Sequence, residues 1–209
     1  MYYHLRKLAV IVGVIFVYLL AMNAQAGQIA RSQRNPGFAQ PHSNAFGRSL
    51  DEWMGIYLEW LADGADPDAR VKNVGFLPII GTSPFEVEVE SGTALVLPVF
   101  TRPAYTEQTD RLPDELFGDP DHIFGEVQLD DKPILEVNEN YYVGPTYFDP
   151  PLYWPSVDKV IYYYQALVCV INPLPPGDHK IVLHSEFKDL GKVYNNIWII
   201  NVVPGKGQQ

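Results

Sequence analysis

Between residues 159 and 187 apolar side chains run almost without interruption on either side of a proline-rich break, and this is the most marked pattern in the chain. Residues 160–171 are β-branched, aromatic or small, types that suit a pleated and packed surface. Val160, Tyr162, Tyr164, Ala166, Val168 and Val170 fall on one face. Ile161, Tyr163, Leu167, Cys169 and Ile171 fall on the other, with Gln165 the polar insertion. Two apolar faces predict a strand covered on both sides. Asn172-Pro173 and Pro175-Pro176-Gly177-Asp178 then end it, because proline cannot donate to a ladder and glycine allows a turn. A second strand follows over 179–187. The two are expected to pair as neighbours at the centre of a β-sandwich.

The rest of the pattern is also largely strand-like. In residues 85–90 Phe85, Val87 and Val89 alternate with Glu86, Glu88 and Glu90, an apolar face and a solvated face that could also meet a cation or basic partner. Apolar runs over 74–80 and 94–100, strands at 124–129 and 134–137 around the turn 130–133, and a closing strand over 193–203 complete the set. One helix interrupts it. Ser49 and Glu52 form a capping box, and Trp53, Ile56, Tyr57, Trp60 and Leu61 recur on one face until Asp63-Gly64. Trp53 and Trp60 are read as packing against a sheet, the alternative being a sugar-stacking or partner surface. The fold class is therefore mainly β. It is an antiparallel two-sheet β-sandwich of about seven to nine strands with one short N-terminal helix. It is assigned to residues 49–204, after a flexible arm over 27–48 and before a tail over 205–209.

Residues 1–26 carry an address. Arg6 and Lys7 precede an apolar run over 8–20, and Ala24-Gln25-Ala26 is an A-x-A site. The run is shorter than the roughly 20 residues of a transmembrane helix. A cleavable signal peptide cut after Ala26 is expected, with a periplasmic or secreted product and no membrane span after cleavage. Charge narrows the partners. With 25 acidic against 15 basic residues the net charge is −10, which disfavours nucleic acid and anionic lipid. Cys169 is the only cysteine, so no internal disulfide forms, and its apolar strand makes it a packing residue.

Two segments carry candidate chemistry. Residues 101–123 read as a long acidic loop holding Asp110, Asp114, Glu115, Asp119, Asp121 and His122. Such oxygens could serve Ca²⁺, although the spacing is not that of an EF-hand. A metal set of Asp119, Asp121, His122, His184 and Glu186 is the candidate, His184 and Glu186 sharing a strand face. Paired carboxylates there would also suit a hydrolase. Residues 141–155 form a proline-stiffened aromatic loop, and Tyr141, Tyr142, Tyr147, Tyr153 and Trp154 are its candidate ligand-binding residues. Stiffly held rings suit sugar faces or peptides because little entropy is lost on contact.

The order of segments adds a resemblance. A tryptophan-bearing helix, then NVGFLPIIGTSPFEVEVESGTALVLPVF, GEVQLDDKPILEVNENYYVGPTYF and INPLPPGDHKIVLHSEF resemble a group of exported bacterial proteins of unknown function. The likeness covers residues 49–187 and rests on the order of weak motifs. Phe76 stands where that group commonly has tryptophan, Asp130-Asp131 replaces Asp-Gly, and its usual cysteine pair is absent. The resemblance implies a β-sandwich and an exported location, and no catalytic residues. The functional expectation is an exported non-catalytic binding or structural protein, with a glycan or envelope protein as partner. The alternatives are a secreted metal- or carboxylate-dependent hydrolase and an envelope assembly subunit.

Overall fold

The computed structural model describes residues 37–78, 84–106 and 111–205, and these belong to one compact unit. The expected signal peptide and most of the tail lie outside the described residues, as do much of the arm and Asp110. Among the described residues no helix is long and apolar enough to cross a membrane.

Nine strands among these residues form a two-sheet sandwich, as the hydrophobic pattern predicts. The four-stranded sheet orders β1 (Val74–Phe76), β3 (Ala94–Ala104), β7 (Lys159–Ile171) and β6 (Tyr142–Trp154). The five-stranded sheet orders β2 (Phe85–Glu90), β9 (Lys192–Val203), β8 (Gly177–Phe187), β4 (Ile123–Leu129) and β5 (Leu135–Val137). The inner ladders are antiparallel, while β1 on β3 and β2 on β9 add parallel pairs at one edge of each sheet. Helix α1 (Leu50–Ala62) packs on β6, β7 and β3 and gives the second apolar face of β7 its cover.

The helix begins where its capping box places it. Ser49 Oγ accepts from the Glu52 amide at 3.2 Å, and Glu52 accepts from the Ser49 amide at 2.8 Å. That contact holds the Glu52 carboxyl below its usual range. Trp53 is 0% exposed and Trp60 7%, so both tryptophans pack inside the molecule instead of facing a partner.

Two expectations about connection are corrected. β7 and β8 are not neighbours: β7 lies inside one sheet and β8 inside the other. The proline-rich link from Asn172 to Pro176 crosses between layers with Leu174 buried. Extended chain covers about 3.3 Å per residue, so this link easily spans the roughly 10 Å between packed sheets. The aromatic segment is not a loop either. It forms edge strand β6, whose register shifts between Val143 and Thr146 and between Tyr147 and Leu152 coincide with Pro145 and the pair Pro150-Pro151. Prolines are tolerated at an edge and at bulges because no ladder donor is needed there.

Close approach requires glycine at Gly144 and Gly125, among other positions. Gly144 has φ +105°, and a Cβ there would lie 2.4 Å from the Tyr164 carbonyl oxygen. At Gly125 a Cβ would lie 2.1 Å from Cγ1 of Val99, the residue passed over where the β3 register shifts between Pro98 and Phe100.

Candidate functional site

The candidate metal residues lie on two stretches, the turn before β4 and strand β8, and do not gather around one ion. Asp119 Oδ1 accepts from the Asp121 amide at 2.9 Å, fixing its own turn. His122 Nδ1 lies 3.0 Å from Asp189. His184 and Glu186 do share a face of β8, with Nε2 and Oε1 2.9 Å apart, while His184 Nδ1 meets Asn195 Oδ1 of β9 at 2.8 Å. Asn195 first, then Glu186 and Glu126, hold the His184 imidazole above its ordinary range against the effect of burial. Among the described residues no three His, Cys, Asp or Glu groups are disposed to hold one metal ion.

The acidic segment is anchored from behind, and sequence reasoning assigned its anchor no role. Gln165 is 0% exposed on β7. Its Oε1 accepts from the Leu112 amide and its Nε2 donates to the Leu112 carbonyl, both at 2.9 Å. The same Nε2 lies 3.0 Å from the Tyr142 hydroxyl, which donates to Asp114 Oδ1 at 2.7 Å. Burial, together with the Asp114 carboxylate, pushes the Tyr142 phenol above its usual range. A polar side chain inside a wholly apolar strand must find partners, and that was the available signal. A second unforeseen set docks the start of α1. Thr146 donates to the Asp51 carboxylate, and the Tyr164 hydroxyl donates to the Asp51 carbonyl at 2.8 Å. Burial, with Asp51 next, raises the Tyr164 phenol.

The aromatic candidates separate in the same way. Tyr141 is buried, and that burial pushes its phenol up to about 12. Tyr142 belongs to the Gln165 anchor. Tyr147 is 62% exposed and stacks at 5.1 Å on Tyr163. Tyr153 is 53% exposed and donates to Asp158 at 2.9 Å. Trp154 lines a cleft of about 220 Å³ between α1, the end of β3 and the start of β9.

This cleft has an apolar floor and an aromatic rim. Leu58 and Leu61 of α1 with Val99 and Pro103 of β3 supply aliphatic surface, and Tyr57 and Phe100 close the back. Tyr105, Trp154 and Tyr194 stand around the opening, Tyr105 40% and Tyr194 38% exposed. Its position follows from the sheet topology. β1 pairs with β3 only at residues 94–96, so the rest of that β3 edge has no second strand among the described residues, and the cleft runs beside it. Its lining contains no Asp, Glu, Lys, Arg or His and carries no charge at neutral pH. Partial burial holds the Tyr105 phenol above its ordinary range. Thr101 also lines the cleft, and its Oγ1 is buried without a hydrogen-bond partner.

Two larger grooves are polar. One of about 620 Å³ mixes Arg70 and Lys72 with Glu88 and Glu90, and one of about 400 Å³ sets Glu59, Asp63 and Asp66 around Trp60 and Arg70. Arg70 is already engaged there, donating to the Pro67 carbonyl at 2.6 Å and the Ala69 carbonyl at 2.8 Å. Trp60 is likewise tied, to the Asp66 carbonyl at 2.7 Å. The aromatic cleft is the better candidate because its lining is aliphatic and aromatic and carries no charged side chain. The chain matches no protein-family model, no curated protein and no solved structure.

Proposed function

We propose that the protein is a non-catalytic binding module, exported by its N-terminal segment, whose aromatic cleft takes an uncharged ligand presenting a ring face. The observation that supports this reading is the cleft itself: three aromatic side chains around an aliphatic floor, with no charged group in the lining. Burial of apolar surface contributes about 25 cal/mol per Å², and rings in contact add about 0.5–1.5 kcal/mol. A volume of about 220 Å³ is below the roughly 300–1,000 Å³ of sites that enclose whole drug-sized ligands. The cleft therefore suits one ring, or the ring-bearing part of a longer molecule. A sugar and a peptide both meet that description.

The test is a thermal melt of the protein against neutral oligosaccharides and neutral peptides, repeated with Trp154→Ala. A ligand at 100 times its dissociation constant should add about 2.7 kcal/mol of stability. Stabilisation lost in the variant supports the cleft. Stabilisation that persists in Trp154→Ala places the ligand elsewhere and refutes the reading.

A further inference from the structure

A second surface, sharing no residue with the aromatic cleft, lies on the outer face of the five-stranded sheet. Burial alternates along β8 and β9, so Val182, Ile197 and Ile199 point outward and are half-buried. They adjoin one another: Val182 lies across from Ile197, and Ile199 is next on the same face. Where one face of such a sheet meets water, its side chains are usually polar. β9 departs from that, because Ile-Trp-Ile-Ile over residues 197–200 is apolar on both faces. β7 also has two apolar faces, and there α1 covers the second. α1 is the one α-helix among the described residues and packs on the four-stranded sheet, so β9 has no such cover within them.

Charge says what kind of cover fits. Around these side chains the same face carries Glu86 and Glu88 of β2, Glu126 of β4, Glu136 of β5 and Glu186 of β8. Against these five carboxylates it carries Lys180. Glu86 lies across from Ile199, and Glu126 lies across from Glu136, a like-charge pair that is unfavourable by itself. Nearby, the chain already spends its own cations: Lys188 Nζ stands 5.1 Å over the Phe124 ring, and His184 Nε2 lies 2.9 Å from Glu186. Glu86, Glu88 and Glu136 form no ion pair among the described residues. We infer that this face docks a basic partner protein, which sets aliphatic side chains on Val182, Ile197 and Ile199 and lysines or arginines among the glutamates. An apolar centre within a polar rim is the common build of a protein interface. A second copy fits poorly, because a two-fold pairing of this face would bring glutamate against glutamate.

The experiment follows the amide and indole signals of ¹⁵N-labelled protein during titration with three decapeptides: lysine alternating with valine, lysine alone, and glutamate alternating with valine. The first should move the amides of Val182, Ile197 and Ile199 and leave the Trp154 indole still. Decalysine, which lacks the apolar half, should bind at least tenfold more weakly, and the glutamate peptide should not bind. Glu86→Lys and Glu126→Lys should each weaken the lysine-valine peptide severalfold, as should added salt. Asp119→Lys, the same change of charge outside this face, should leave its affinity unchanged. Ile199→Thr, which keeps a β-branched residue in the strand, should weaken it as well. Equal weakening by Asp119→Lys would mean diffuse attraction to an acidic chain and overturns the inference, as does the absence of any binding. A mass that rises with concentration and returns to monomer in Ile197→Lys also overturns it, by making a second copy the occupant. Movement of the Trp154 indole in place of the three amides overturns it too, and leaves the cleft reading standing.

Discussion

Replacing Gln165 with methionine keeps the length and apolar stem of the side chain but deletes its hydrogen bonds. In the structure that side chain closes a two-way bond with the Leu112 backbone at 2.9 Å each way and meets the Tyr142 hydroxyl at 3.0 Å. At about 1 kcal/mol net per good hydrogen bond, the loss is about 3 kcal/mol. The longer contact to Asp114, at 3.3 Å, adds little. For a chain of this size that corresponds to a fall in Tm of about 6–12 °C. Urea denaturation measures it directly, and the slope should not change because the exposed surface on unfolding is the same. A local readout accompanies the global one: the Leu112 amide, protected by Gln165 in the wild type, should exchange faster with solvent. Adding Tyr142→Phe to form a double-mutant cycle should return a coupling of about 0.5 kcal/mol or more, since the two side chains share one network. A loss under about 1 kcal/mol, with Leu112 still protected, would refute the reasoning that Gln165 anchors this segment.

Gly144→Ala should destabilise by about 2–4 kcal/mol in the same assay, because the new Cβ meets the Tyr164 carbonyl at 2.4 Å and the residue must keep φ +105°. A cost under about 1 kcal/mol would mean that β6 is free to shift. His184 is held above its ordinary range in the folded state, so its contribution is fully present below the unfolded pKa and is lost as pH rises through the folded one. The stability lost in His184→Phe should therefore be larger at pH 5 than at pH 8. Asp130 runs the other way: burial opposes ionisation, but His179, the Lys180 amide and Lys132 outweigh it and lower its range. Its contribution is present above the unfolded carboxylate pKa and fades as pH falls through the folded one, so Asp130→Asn should cost more stability at pH 7 than at pH 3. Complete burial pushes the Cys169 thiol up, so a maleimide should label it only after denaturation; labelling of the native protein would show an opening of β7.

The layers, the helix and most strands were legible because each depends on periodicity and on local capping. FEVEVE alternates as β2 does, with Val87 and Val89 buried and the glutamates outside. The partner of each strand was not legible. The link from Asn172 to Pro176 has the composition of a hairpin loop, and nothing local distinguishes a return along the same sheet from a crossing to the other. Prolines misled in residues 142–154 for a related reason: they forbid a central strand, yet an edge strand with register shifts accepts them. The site was legible only through Trp154. The other walls of the cleft, Leu58, Pro103, Tyr105 and Tyr194, come from segments far apart in sequence, and each reads locally as ordinary core or surface. The acids at 114–121 attracted attention by number, whereas the single Gln165 that fixes their segment did not.

The parallel pairing of β2 with β9 has a consequence for how the molecule comes into being. Phe85 lies against Trp198 and Glu90 against Val203, so β2 cannot take its place until almost every other strand has emerged. Contacts of such long sequence separation form late and slowly. A growing chain stays incomplete along this edge throughout, with the apolar face of β2 uncovered. Val87 and Val89 then depend on Glu86, Glu88 and Glu90, which keep the waiting segment hydrated and discourage it from pairing with another copy.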